Sequence, residues 1–85
     1  MRKTAFLPRA FSEFSDWATE DKKIYAKIVT LIKDIDRNPF AGLGKPEPLK
    51  YQFAGLWSRR ITDEHRLVYK VTEDEVLIIS CRFHY

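Results

Sequence analysis

The spacing of apolar residues changes partway along this chain. Up to about residue 38 they recur every three or four positions; beyond residue 55 they alternate with polar residues or run together. The first spacing has the period of a helix and the second that of strands. Phe11, Phe14, Trp17 and Ala18 line one face of a segment that begins near Pro8. A proline suits the first helical turn, where its missing N–H is not needed. Ile24, Ile28, Leu31, Ile32 and Ile35 form a second apolar face, opposite Lys22, Lys23, Lys27, Lys33 and Asp34. Thr19 is the expected N-cap of this second helix, with Glu20 and Asp21 near the positive end of its dipole. Asn38-Pro39 is the expected end, with Asn in a left-handed cap and Pro unable to continue. The pattern predicts a helical hairpin with a tight joint.

The remainder predicts a sheet. Lys3 to Leu7 allows a short first strand. The stretch from Asn38 to Lys50 holds three of the four prolines and two of the three glycines. It is long for a connector in so small a domain, and such loops are often functional. Prolines on both sides of Glu47 stiffen the backbone that presents its carboxylate. Tyr51 to Phe53 reads as a short strand before Gly55. Leu56–Ile61, Arg66–Val71 and Val76–Phe83 read as strands joined by the polar turns Thr62–His65 and Thr72–Glu75, and short turns pair strands as antiparallel hairpins. VLIISC is nearly all apolar, which predicts a central strand covered on both faces. The expected fold class is α+β: one domain, residues 1–85, with a small antiparallel sheet against an N-terminal two-helix hairpin. The sheet face away from the helices, or its rim, is left for function.

Composition narrows the setting. With 45% hydrophobic and 32% charged residues, the chain reads as globular rather than disordered. A single cysteine, Cys81, excludes an internal disulfide and fits a reducing compartment. The apolar run before Pro8 is too short for a signal peptide, and no stretch approaches the roughly 20 apolar residues of a membrane span. A cytoplasmic protein with no membrane partner is expected. The net charge is +3, but its distribution matters more. Between Gly44 and Lys70 six basic residues (Lys45, Lys50, Arg59, Arg60, Arg66, Lys70) face three acidic ones. That excess suits a polyanion such as RNA, although solvated edge strands also carry Lys and Arg to resist aggregation.

The groups able to carry chemistry are Glu47, Arg59, Arg60, His65, Arg66, Arg82, His84 and Tyr85. Two scattered histidines and one cysteine form no metal site of recognisable spacing, and there is no Gly-rich phosphate loop. No metal or cofactor is expected. A carboxylate, an imidazole, a phenol and several guanidiniums can cleave an RNA phosphodiester. One group deprotonates the 2′-hydroxyl, another protonates the leaving 5′-oxygen, and arginine neutralises the phosphorane. Each residue also has a plainer reading. Arg59 and Arg60 are consecutive in a strand, so at most one faces the active side. Arg66 can pair with Asp63 or Glu64 across its turn, His65 reads as a turn residue, and Arg82 as an edge-strand charge. Tyr85 can be a hydrophobic plug.

At KPEPLK, WSRRITDEHRLVY and CRFHY the chain resembles the YoeB-like toxins of YefM–YoeB toxin–antitoxin pairs, within the RelE superfamily, over essentially its whole length. The resemblance implies a ribosome-dependent mRNA endoribonuclease that cuts in the A site and halts translation. It places the general base on Glu47, the phosphorane stabiliser on Arg66 and the general acid on His84, with Tyr85 orienting the base or phosphate. Lys50 and Arg59 match basic positions that hold RNA, and Lys45 and Arg60 extend that set. The implied partners are a YefM-like antitoxin, the 70S ribosome with its A-site mRNA, and a second copy of the chain. One difficulty is internal to this reading. Two symmetric even-length turns would set Arg66 opposite Cys81, on the face of Tyr85 and not of His84. A bulge, an odd loop or a bend is therefore expected between Arg66 and His84.

Overall fold

A computed structural model describes residues 2–83. In chain order these form β1 (Lys3–Phe6), α1 (Pro8–Glu20), α2 (Lys22–Arg37), β2 (Glu47–Pro48), a 3-10 turn (Tyr51–Phe53), β3 (Trp57–Arg60), β4 (Arg66–Val71) and β5 (Glu75–Ser80). The strands make one sheet in the order β1-β5-β4-β3-β2. The expected α+β architecture holds, with the sheet mixed rather than purely antiparallel: β1 runs parallel to β5, pairing Lys3 with Glu75 and Phe6 with Ile78. A four-residue strand that pairs across some 70 positions leaves neither a turn nor an alternation in the sequence to announce it.

The helical hairpin forms on the predicted stripe of α2. Ile28, Leu31 and Ile35 are fully buried, with Ile24 and Ile32 flanking them. Complete burial of each such side chain stabilises by about 1.5–3 kcal/mol. In α1 the inward positions are Ala10 and Trp17, while Phe11 is 59% exposed and touches Phe6 edge-on. Phe14 stacks between Phe6 and Tyr25. The joint is a single extended residue, Asp21, which closes α1 by donating its N–H to Trp17 O. Its carboxylate caps α2 by accepting from the backbone N–H groups of Lys23 and Ile24 at 3.0 and 3.2 Å. Asp21 therefore replaces Thr19 as the N-cap; the Thr19 hydroxyl bonds back to Asp16 O. Asn38 ends α2 in extended rather than left-handed conformation (φ −153°).

Both helices lie on one sheet face, where Leu67, Tyr69, Val76 and Ile78 join the helix residues in a single core. β4 takes the sheet's centre and β5 lies beside it. On β5, buried Val76 and Ile78 turn to the helices and half-buried Leu77 turns away, so its open face is not sealed along its length; Ser80, past the irregularity, pairs with Val68 on that open face. Tyr51–Phe53, read as a strand, is a turn of 3-10 helix entered at a positive φ of 58° at Tyr51. The expected irregularity is a bulge. Tyr69 pairs with Ile78 but Val68 with Ser80, leaving Ile79 as the extra residue. The shifted register carries Arg66 past Cys81: its N–H donates to Phe83 O at 2.9 Å. His84 and Tyr85 lie outside the described residues.

Candidate functional site

Strand registers determine what shares the open face. Glu47 pairs with Ser58, Ser58 with Val68, and Val68 with Ser80, a row across β2, β3, β4 and β5. Ser58, Val68 and Ser80 are small and buried, so they form a floor. Next to that row Arg60 pairs directly with Arg66, and on its other side Lys70 pairs with Leu77. Directly opposed residues in antiparallel strands face the same way. The open face thus brings together Glu47, Arg60, Arg66 and Lys70. Glu47 and Arg66 are two strand spacings and two residues apart, roughly 12 Å between Cα atoms from sheet geometry. That leaves room for a phosphodiester between the two side chains.

Glu47 is exposed on its two-residue strand, which the Leu49 N–H to Leu56 O bond (2.8 Å) continues. The preceding loop is pinned where Arg60 N–H donates to Gly44 O at 2.6 Å. Gly44 needs to be glycine: its φ is +79°, and an added Cβ would sit 2.9 Å from Leu31 Cδ2 and 3.1 Å from Arg60 O. Lys45 and Lys50 flank Glu47 in sequence and are exposed. Arg66 is half-buried. Its Nη1 donates to the carbonyls of Thr62, Asp63 and His65 at 2.6, 3.0 and 3.1 Å. The plainer reading paired Arg66 with a turn carboxylate, but among the described residues neither Arg60 nor Arg66 forms an ion pair. Two unneutralised arginines facing each other across a ladder are destabilising unless an anion joins them.

Arg59 is the correction to the expected RNA-contact set. It lies on the helix side and is fully buried. Its Nε donates to Tyr69 Oη (3.1 Å), Nη1 to Asp34 Oδ2 (2.5 Å) and Leu43 O (3.1 Å), and Nη2 to Asn38 O (2.7 Å) and Ala41 O (3.0 Å). A guanidinium has five N–H donors, and here each has a partner inside the protein. None is left for a phosphate. Tyr69 Oη in turn donates to Pro39 O at 2.8 Å. The Leu43 N–H bond and the Arg59 guanidinium hold the Asp34 carboxyl below its ordinary range, while burial pushes the Tyr69 phenol up. This knot fastens the stretch from Asn38 to Leu43, which leads to Glu47.

Beyond β5 the chain is anchored to α1. Cys81 N–H donates to Glu13 Oε1 at 2.8 Å, and Trp17 Nε1 donates to Cys81 O at 3.0 Å. Burial pushes the Cys81 thiol up to about 12. Arg82, read as an edge charge, lies 4.0 Å over the Trp17 ring and pairs with Glu20. His65, set aside as a turn residue, is buried against Trp17 and accepts the Phe83 N–H at Nδ1. Nothing in the local sequence distinguishes it, because its partners come from α1 and from the segment after β5. Among the described residues no three His, Cys, Asp or Glu side chains converge as a metal site. No helix is long and apolar enough to cross a membrane.

Fold and face together define a class: a small α+β domain with two helices on one side of a mixed sheet and a carboxylate among arginines on the other. The model of the family described as the YoeB-like toxin of bacterial type II toxin–antitoxin systems matches residues 6–85, and the chain belongs to that family. It is 53% identical to Toxin YoeB of Escherichia coli K12 over 83 residues, covering 98% of this chain and 99% of the relative. Among solved structures, the YoeB dimer from Staphylococcus aureus is similar at a TM-score of 0.92 with 46% identity, covering 99% of this chain and 98% of that one. The YoeB–YefM complex from the same organism matches at 0.90 with 44% identity, covering 100% and 99%.

Proposed function

We propose that this toxin-family chain is a ribosome-dependent mRNA endoribonuclease that cleaves in the A site and so stops translation. The observation that carries the reading is the Arg60–Arg66 pair, which no described carboxylate neutralises, on the same open face as Glu47. In the proposed reaction Glu47 takes the proton of the 2′-hydroxyl as its oxygen attacks phosphorus. Arg66 balances the charge that develops on the phosphorane oxygens. The P–O5′ bond breaks, and the leaving 5′-oxygen takes a proton from His84, giving a 2′,3′-cyclic phosphate and a 5′-hydroxyl. Tyr85 orients the base or phosphate. The route uses only the chain's own acid–base groups and the substrate's hydroxyl, so it needs no metal and spares DNA. Arg60, Lys45 and Lys50 hold mRNA or ribosomal RNA as phosphate contacts.

The partners proposed are a YefM-like antitoxin and a second copy of the chain, as in the Staphylococcus aureus structures of its relatives, and the 70S ribosome. Action on translating ribosomes makes the cytoplasm its place of work. The test maps the ends of a defined mRNA incubated with the protein, with and without programmed 70S ribosomes. Cuts confined to the A-site codon, dependent on ribosomes and absent in Glu47→Ala, are expected. Ribosome binding with intact mRNA would instead make the chain a non-catalytic binder.

A further inference from the structure

The residues between β5 and the last two positions are held by side chains rather than by a regular ladder. Phe83 is the point of greatest constraint. Its φ is +62°, a left-handed conformation that a bulky residue adopts only when its surroundings impose it. Two consecutive residues grip its two backbone polar groups. The Phe83 N–H donates to His65 Nδ1 at 2.8 Å, and Phe83 O accepts the Arg66 N–H at 2.9 Å. His65 is itself fixed: it is 7% exposed, its ring meets Trp17 edge-on at 4.9 Å, and its carbonyl accepts from Ile61 N, Thr62 N and Arg66 Nη1. A backbone N–H can only donate, so Nδ1 must be the bare nitrogen of the ring.

We propose that His65 is a positioning residue, whose Nδ1 fixes Phe83 next to Arg66 and so sets the point from which the chain continues. The inference rests on the nuclease reading for its effect on turnover, but not for its geometry. Among the described residues Glu64 lies 3.8 Å from Nε2; Arg66 binds the His65 carbonyl, and from α1 Glu13 and Glu20 are bound to Cys81 N–H and to Arg82.

Two variants separate positioning from simple packing. His65→Asn keeps an acceptor near the Nδ1 position, whereas His65→Leu fills the space without an acceptor. On programmed ribosomes, His65→Leu is expected to lower kcat by roughly tenfold or more, the scale of one lost hydrogen bond that holds a reacting group in place, with ribosome affinity unchanged. His65→Asn is expected to restore most of kcat. Wild-type kcat in the Leu variant, or equal losses in both variants, would overturn the proposal. Hydrogen exchange of the Phe83 amide tests the grip without any cleavage assay. Protection kept in Asn and lost in Leu supports it, and equal exchange in all three proteins overturns it. If the wild type cuts no mRNA, the nuclease reading fails while the exchange result still decides the grip.

Discussion

Arg59 and Arg60 are the same residue one position apart on β3, and the two faces of the sheet give them opposite fates. On the helix face, Arg59 is sealed from water with every donor matched, and it holds three loop carbonyls and Asp34 together. On the open face, Arg60 is exposed and faces Arg66 across the ladder, with no ion pair to either among the described residues. The covered face uses arginine as a fastener, and the open face leaves arginine available to a ligand. The two are coupled, because the loop that Arg59 fastens runs on to Glu47 through Gly44, whose carbonyl is bonded to Arg60 N–H.

The strongest way to break this comparison is Arg59→Ala. Removing the buried guanidinium leaves the half-buried Asp34 carboxylate and three loop carbonyls unmatched, at about 1–3 kcal/mol. Denaturant unfolding should show a loss of that order. Arg59→Lys should recover little of it, since an ammonium cannot reach five acceptors in a planar fork.

Changes of pH address the covered face without mutation. Asp34 is held below its ordinary carboxylate range, so its contribution is present above about pH 4 and is lost as pH falls through its folded value. Asp34→Asn should remove that part of the acid dependence in Tm measured against pH. Cys81 moves the other way, raised from 9.0 to about 12. Its neutral thiol favours the folded chain below pH 9, and stability declines as pH rises from there towards about 12, because the unfolded thiol ionises first. Cys81→Ala should lessen the alkaline decline in the same titration.

The smallest expected effect on stability is at the open face. Arg60→Ala should change the unfolding free energy by no more than about 0.5 kcal/mol. It should weaken association with programmed ribosomes and lower the salt slope of that association by about one. An Arg60 variant that unfolds as readily as Arg59→Ala, with its salt slope unchanged, would erase the distinction between the faces.

Much of the frame was legible in the sequence. The three- and four-residue steps of Ile24, Ile28, Leu31 and Ile35 suffice to fix α2, because helical period and burial are both local. The polar turns after Ile61 and Val71 define the hairpins for the same reason. Side-chain parity, set against the roles that the resemblance implies for Arg66 and His84, called for an irregularity, and a bulge at Ile79 is present. Glu47 and Arg66 stood among the groups able to carry chemistry, the resemblance singled them out, and strand register sets both on one face. The expected roles of His84 and Tyr85 concern positions outside the described residues.

What only tertiary structure decided are the partnerships between distant positions. Parity says that Arg59 and Arg60 diverge, but not which one turns inward; the helices, by covering one face, made Arg59 the buried member. The same contact with α1 turns His65 from a turn residue into the acceptor for Phe83, and brings Arg82 onto Trp17. β1 finds β5 only when the chain has closed. Local period is written in neighbouring residues, whereas burial, ion pairing and the grip on Phe83 depend on which surfaces meet after folding. That is why the sequence by itself determined the two helices and the three later strands, and the packed structure alone determined which arginine binds the protein and which faces outward.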